Sequence, residues 1–391
     1  MSNDIEDNET HMLDSLMIKN FRMLRDFELA KLGQVNLIVG KNNSGKSSVL
    51  EALQIFAKNA DQSALEKIAS GRGEKYRINT DEHYHSTSLI PFQDLFTDRI
   101  FPVDDNTEIQ IGSLNKPEEI LRIRHVFQIK EEETVTHETG ERDTRIRRRI
   151  IPKSEIHHSS GDIEQALLIS KGDTSHSPIN LSRKQFRVSL LSLLDAIPCN
   201  VIPTQFVSED ELADAWDNIV LYEAEESVKS ALRIIEPDFE DLTFVRADTQ
   251  GNKLQRTAKV KLKNLSMPVS LYSLGDGMVR VLQLAIKLTS SQGGFLLIDE
   301  FENGLHYSVQ EKIWDFLFNI AKQLDIQIFA TTHSWDCIES FSKVALKHPD
   351  SEGILFRMGK SAKTSDRGRV IATIYDATEL ETITQADMEV R

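Results

Sequence analysis

The chain has 391 residues, 40% hydrophobic and 27% charged, and its 46 Lys and Arg stand against 61 Asp and Glu for a formal net charge of −15. That length fits two or three domains or lobes, and the composition excludes collagen-like, low-complexity and wholly disordered classes. The acidic balance excludes a protein that coats nucleic acid over its whole surface, though a local basic strip stays compatible with it. No stretch approaches the roughly 18 consecutive apolar residues of a membrane helix, so no membrane partner is expected. The start, Met1 to Met12, lacks the apolar run of a secretion signal. Cys199 and Cys337 make no disulfide framework, which suits a reducing cytoplasm.

In chain order, residues 1–12 read as a solvated, disordered tail, with order beginning near Leu13. Leu16, Ile18 and Phe21 fit a strand entering a turn, and Val35 to Val39 is a short apolar strand that stops at Gly40. Val49, Leu50, Leu53 and Phe56 recur at helical spacing. Residues 60–100 are polar and irregular, with His83-Tyr84-His85 among them. Ile109 to Gly112, Leu121 to Lys130 and Thr144 to Lys153 predict strands, and Ile156 to Pro178 a loop. Arg183 to Ile235 reads as mostly helical, interrupted at Ile197-Pro198 and Ile202-Pro203 and stopped by Pro237. Strands are expected at Leu242 to Arg246, Ala258 to Leu262 and Pro268 to Tyr272, then a helix from Met278 to Thr289. Phe295 to Ile298 and Ile326 to Ala330 are buried-type strands. A helix between them, Tyr307 to Gln323, places Val309, Ile313, Phe316 and Ile320 on one face. Ile354 to Met358 and Val370 to Tyr375 are positioned to close the sheet.

Gly40-Lys41-Asn42-Asn43-Ser44-Gly45-Lys46-Ser47 completes the pattern GxxxxGK[ST], followed by Ser48. Its glycines let backbone N–H groups approach phosphate oxygens. Lys46 is a point charge for the β- and γ-phosphates, the Ser47 hydroxyl is a Mg²⁺ ligand, and the helix that begins here adds its positive end. Asp299 and Glu300 follow four apolar strand residues. Adjacent strand residues point differently, so one acid can serve the metal and the other an attacking water. His333 ends the second buried strand, where an imidazole can sense a γ-phosphate. Gly275-Asp276-Gly277 precedes a helix and forms a second anion-type loop.

The order of these motifs resembles ABC-type ATPase heads. More narrowly, Ile18 to Arg22 resembles SMC- and RecF-like heads, and Leu274 to Met278 with Ile298 to His306 resembles the AAA-family ATPases related to OLD proteins. Glu211 to Pro237 is similar to that family's helical insertion, and the likeness runs from about Leu13 to Arg391. The resemblance implies an α/β P-loop NTPase, an ABC-type head with an antiparallel β lobe and a mostly helical insertion. It implies lobe one at 13–155, the insertion at 156–240 and lobe two at 241–391. It also implies ATP and Mg²⁺ as cofactors, with Lys46 and Ser47 on phosphate and metal, Asp299 on Mg²⁺, and Glu300 as catalytic base. Asn303 to His306 would be the D-loop, His333 the switch residue, and Arg22 a nucleotide contact. Gly275 and Asp276 depart from the usual LSGGQ signature, and Gln93 and Gln128 both stand as Q-loop candidates.

The expected function is a Mg²⁺-dependent ATPase that forms a homodimer or higher homo-oligomer around ATP and controls a separately encoded, nuclease-like effector in anti-phage defence. The alternatives are a RecF-like DNA-repair head that contacts DNA directly, and a nucleotide-gated scaffold with little turnover. Arg145, Arg147 and Arg149 alternate along one strand face and read first as a solvated face paired with nearby acids, with contact to nucleic acid or to a partner as the alternative. His83/His85 and His157/His158 read as loop histidines rather than metal ligands. Trp216 and Trp335 read as packing residues.

Overall fold

The computed structural model describes residues 12–71, 90–136, 142–158, 162–175, 178–181, 196–221, 224–247, 255–363, 366, 368–375 and 379–380. The expected tail before Met12 and the His83-Tyr84-His85 stretch lie outside these residues, as do the side chains of His157 and His158.

The first half opens with β1 (Leu16–Phe21), β2 (Leu24–Leu29) and β3 (Val35–Val39), then α1 (Lys46–Ala57) and α2 (Gln62–Ser70). After two short 3₁₀ turns, Phe92–Leu95 and Thr97–Arg99, come β4 (Ile109–Gly112), β5 (Leu121–Thr136), β6 (Arg142–Ile151), β7 (Ile163–Lys171), β8 (Thr174–Ser175) and β9 (Ile179–Asn180). The second half holds β10 (Cys199–Ile202), α3 (Glu209–Leu221), α4 (Glu225–Ile235), β11 (Phe239–Ala247), β12 (Gln255–Leu262) and β13 (Val269–Ser270). It continues with α5 (Asp276–Thr289), β14 (Phe295–Ile298), α6 (Tyr307–Gln323), β15 (Gln327–Thr332), α7 (Trp335–Lys347), β16 (Gly353–Lys360) and β17 (Val370–Tyr375).

The core sheet has the order β10-β14-β15-β3-β16-β17. Its neighbours are parallel except for the antiparallel pair β16 and β17. Such a sheet is covered on both faces, which is why β3, β14 and β15 are apolar-rich and buried throughout. Alternation along each strand splits them between two cores. Phe295, Leu297 and Phe329 face α1 and the strands β1, β2 and β4. Leu296, Ile298, Ile328 and Ala330 face the helices α5, α6 and α7. A second, antiparallel sheet runs β2-β1-β4-β5-β7-β8, with β6 on β5 and β9 on β7. Helix α1 packs between the two sheets through Val49, Leu53 and Phe56. A third sheet, β11-β12-β13, shares a core with α3 and α4 through Trp216, Val228, Leu242 and Val260.

The structure corrects several sequence expectations. Residues 62–70, expected irregular, form α2, capped by the Asp61 side chain, which accepts the Ala64 N–H. The loop expected at Ile156 to Pro178 contains β7, which pairs with β5 from Ile163 to Lys171. Among the described residues of 156–240, β7, β8 and β9 extend the antiparallel sheet, and α3 and α4 are the α-helices. The break between Pro198 and Pro203 is β10, an edge strand of the core sheet. Pro268 to Tyr272 is strand only at Val269–Ser270 and then turns as a 3₁₀ helix. On α6 the buried face is Gln310, Ile313, Trp314, Leu317, Phe318 and Ala321. Val309, Phe316 and Ile320 sit at its margin.

Candidate active site

Parallel strands deliver their C-terminal ends to one edge of the sheet, and β3, β14 and β15 are adjacent there. The loop after β3 is the phosphate loop. Gly40 has φ +149, and a Cβ on it would stand 2.5 Å from the Met358 carbonyl oxygen and 2.8 Å from Ser44 Oγ, so only glycine fits. Lys41, Asn42 and Asn43 are exposed, while Ser44, Gly45 and Lys46 are buried. Gly45 takes a left-handed φ of +102 and starts α1.

Lys46 Nζ donates to the carbonyl oxygens of Gly40 at 2.7 Å and Lys41 at 3.2 Å, and lies 3.4 Å from His333 Nδ1. Burial holds its ammonium below the usual lysine value, against the opposing pull of Asp299, Glu300 and Glu302. Ser47 Oγ lies 3.4 Å from both carboxylate oxygens of Asp299. His333 Nε2 stands 3.9 Å from Glu300 Oε1. Lys46, Ser47, Asp299, Glu300 and His333 thus converge from three strand ends.

Four residues that sequence reasoning missed hold this arrangement. Thr331 donates to Asp299 Oδ1 at 2.7 Å and accepts the Glu300 N–H at 2.9 Å. Thr204 lies 3.4 Å from Asp299 Oδ2. Glu302 accepts from Thr332 Oγ1 and from the His333 N–H. Arg280, fully buried on α5, donates to the carbonyls of Pro203, Asp299 and Glu300 at 2.7, 2.9 and 2.9 Å. Burial pushes its guanidinium down to about 10, opposed by Asp299, Glu302 and Glu300, so it stays charged at neutral pH. An arginine four residues beyond Asp276, facing the core, was the only sequence signal for this role. The turn after Glu300 is anchored by Phe301, whose ring stacks on Trp314 at 3.9 Å, a contact worth about 1 kcal/mol.

Gly275, Asp276 and Gly277 lie at the start of α5, with Gly275 and Asp276 exposed. They adjoin residues 303–306: a Cβ on Gly277 would stand 3.3 Å from the Gly304 carbonyl oxygen. Among the described residues no hydrogen bond joins them to Gly40–Ser48. Arg22 lies beside the phosphate loop, in the wall of a cavity of about 430 Å³ that Arg25, Asn43, Ser48, Asp98 and Lys360 also line. Its guanidinium is engaged by Glu51 at 2.9 Å and by the Ile68 carbonyl at 2.9 Å. The Gln93 turn adjoins Arg22, whose N–H donates to the Leu95 carbonyl, while Gln128 is buried on β5.

Residues 35–336 match the family described as "AAA domain, putative AbiEii toxin, Type IV TA system". The chain belongs to this family. It is a P-loop ATPase with an AAA domain. A protein of Helicobacter pylori (strain ATCC 700392 / 26695) named ATP/GTP phosphatase is 25% identical to it over 358 residues, 85% of this chain and 88% of that one. A 45-residue segment is 56% identical to uncharacterized protein MJECL10 of Methanocaldococcus jannaschii, covering 12% of this chain and 20% of that one. Among solved structures, the SMC head domain from Thermotoga maritima matches with TM-score 0.41 and 14% identity, covering 93% of this chain and 98% of that one. The Smc head domain bound to the C-terminal domain of ScpA, derived from Pyrococcus furiosus, matches with TM-score 0.46 and 11% identity, covering 96% and 99%.

The remaining features of this ATPase lie away from the site. On β6, Arg149 pairs with Glu131 at 2.9 Å and Arg148 with Glu164 at 3.4 Å, while Arg145 stands opposite Glu133 in register. Trp216 is buried, and Trp335 is partly buried against the same core. Among the described residues no helix is long and apolar enough to cross a membrane, and no group of three or more His, Cys, Asp and Glu is placed to hold a metal.

Proposed function

We propose that this ATPase hydrolyses ATP with Mg²⁺ at the phosphate loop, with Glu300 activating the attacking water. The observation that carries the reading is the convergence of Lys46 and Ser47 with Asp299, Glu300 and His333. The phosphate chain fits the loop: Ser44 Oγ is a buried hydroxyl with no hydrogen-bond partner, and the Gly40 cradle has no room for a side chain. Ser47 and Asp299 present hard oxygen donors to one another, the ligand type Mg²⁺ takes. They would hold the ion, which neutralises charge on the β- and γ-phosphates when bound. Lys46 exchanges its bonds to backbone carbonyls for phosphate oxygens. Glu300 orients water and takes its proton, and His333, between Lys46 and Glu300, reads the γ-phosphate. The test is phosphate release by purified protein, with and without Mg²⁺, for wild type and Asp299→Asn. Mg²⁺-dependent release that drops about 10²-fold in the variant is expected; equal release by both contradicts the assignment, and negligible release by wild type favours the scaffold reading.

The exposure of Gly275 and Asp276 supports a trans role in which a second copy presents this loop to the open side of the nucleotide. ATP would then stabilise a symmetric dimer. The division into two lobes is proposed from the two separate large sheets, antiparallel β2-β1-β4-β5-β7-β8 and core β10-β14-β15-β3-β16-β17. The family's description as a putative toxin of a type IV toxin–antitoxin system supports a role in such a system, and the sequence resemblance supports control of a separately encoded, nuclease-like effector in anti-phage defence. Co-purification with the product of a neighbouring gene is the expected result. Robust DNA cleavage by the single purified chain would refute that division of labour.

A further inference from the structure

We infer that Thr331 is a positioning residue for this hydrolysis, one buried hydroxyl setting the orientation of both acids. The inference rests on the proposed roles of Asp299 and Glu300.

Thr331 lies on β15 beside β14 and is fully buried. Its strand neighbours Phe329 and Ala330 are apolar and equally buried, so packing alone would be served by valine, the same shape without the oxygen. A buried hydroxyl is costly unless it is hydrogen-bonded. This one is bonded on both sides, and both partners belong to the site. Its single proton goes to Asp299 Oδ1 at 2.7 Å. A lone pair accepts the Glu300 N–H at 2.9 Å.

The two bonds do different things. The first stops rotation of the Asp299 carboxylate and so fixes how its oxygens face Ser47, 3.4 Å away. The second holds the peptide that leads into Glu300, whose φ is +50. A residue with a Cβ keeps that left-handed conformation only where its surroundings over-determine it. Here the Thr331 carbonyl also accepts the Phe301 N–H at 2.9 Å, and Arg280 clamps the carbonyls of Asp299 and Glu300. The left-handed turn takes Glu300 off the strand line and leaves its carboxylate 3.9 Å from His333. Of these groups, the Thr331 hydroxyl alone touches both the side chain of Asp299 and the peptide of Glu300.

The experiment compares Thr331→Val, which keeps shape and strand preference, with Thr331→Ser, which keeps the hydroxyl, and runs Glu300→Gln alongside. Three quantities are read: ATP affinity by titration without Mg²⁺, the gain in that affinity on adding Mg²⁺, and kcat. For Thr331→Val the metal-free affinity should stay within about threefold of wild type. The Mg²⁺-dependent gain should shrink, and kcat should fall by about 10- to 100-fold, the scale of a misplaced reacting group. Thr331→Ser should restore both. Wild-type kcat in Thr331→Val overturns the inference, as does a Ser variant no better than Val, which would show that the hydroxyl is not sufficient to position the acids. Parallel loss of metal-free binding, kcat and thermal stability also overturns it, by making Thr331 merely structural. If the Val protein does not fold, Thr331→Ala takes its place under the same criteria. Wild-type turnover by Glu300→Gln would instead overturn the reading beneath, which separates the two failures.

Discussion

The Glu302 carboxylate accepts the backbone N–H of His333 at 2.8 Å and the Thr332 hydroxyl at 2.7 Å, tying the turn after β14 to the end of β15. The residues 303–306 that follow Glu302 abut the loop Gly275–Gly277, with the Asp276 carbonyl oxygen 3.6 Å from a Cβ built on Gly304. The hydrogen bond from the His333 N–H to Glu302 therefore links His333 to the turn that packs against the Gly275–Gly277 loop. Glu302→Ala should lower kcat about tenfold with little change in ATP affinity. A double-mutant cycle with His333→Ala checks this link: the double variant should be no slower than His333→Ala alone. Additive losses would show that Glu302 acts elsewhere.

Lys46→Ala should weaken ATP binding by at least about 10²-fold, because the phosphates lose their main point cation. Folding stability should change by less than about 1 kcal/mol. The Lys46 ammonium bonds to two backbone carbonyls in its own loop, lies at 3.4 Å from His333 Nδ1, and is already disfavoured by burial. Calorimetric titration and thermal melting check the two halves. Undiminished affinity would remove the phosphate-loop assignment.

His125 predicts an acid limb to stability that is independent of the site. It is buried, stacks on Phe101 at 4.0 Å, and burial pushes its pKa down from 6.5 to about 4. Between those values the unfolded chain binds a proton that the folded chain does not. Its contribution is thus intact above pH 6.5 and is lost as pH falls toward about 4. The loss should reach up to about 3 kcal/mol. Urea unfolding at stepped pH should show a shallower acid limb in His125→Phe than in wild type. Identical limbs would place His125 in contact with solvent.

Trans completion of the site is tested by mixing subunits, and the structure selects the variant. Gly277 is unsuitable, because any side chain there presses on the Gly304 carbonyl of its own subunit, 3.3 Å from the Cβ. Asp276 is exposed at the first position of α5, so Asp276→Trp leaves its own site intact. Alone, it should retain ATP binding and lose turnover. Mixed with Lys46→Ala, it should regain part of the activity, since each mixed dimer holds one site with neither defect. A mixture that stays inactive while mixed dimers form, or turnover by a proven monomer, would contradict the trans arrangement.

Local chemistry made much of this molecule legible in its sequence. The run Val35 to Val39 before Gly40, the helical spacing after Lys46, and the apolar strands ahead of Asp299 and His333 each signal within a few residues. What escaped was non-local or masked by its flanks. Helix α2 carried a readable cap at Asp61 but sits in a polar stretch. β7 is bordered by Ser, Gly and His residues, and its strand character comes from pairing with β5. β10 is four residues between two prolines and becomes a strand by adding to β14. In the site, Lys46, Ser47, Asp299, Glu300 and His333 follow from spacing. Thr331, Glu302 and Arg280 acquire their roles only once β14, β15 and α5 are neighbours.

In the proposed mechanism Glu300 activates the attacking water, and a single-turnover comparison of wild type with Glu300→Gln tests this most directly. With enzyme in excess over ATP and Mg²⁺ present, both proteins should bind the nucleotide equally tightly. The variant should release phosphate at least about 10²-fold more slowly, the scale of lost base catalysis, and should accumulate as an ATP-bound dimer. Release by Glu300→Gln at the wild-type rate would contradict the account.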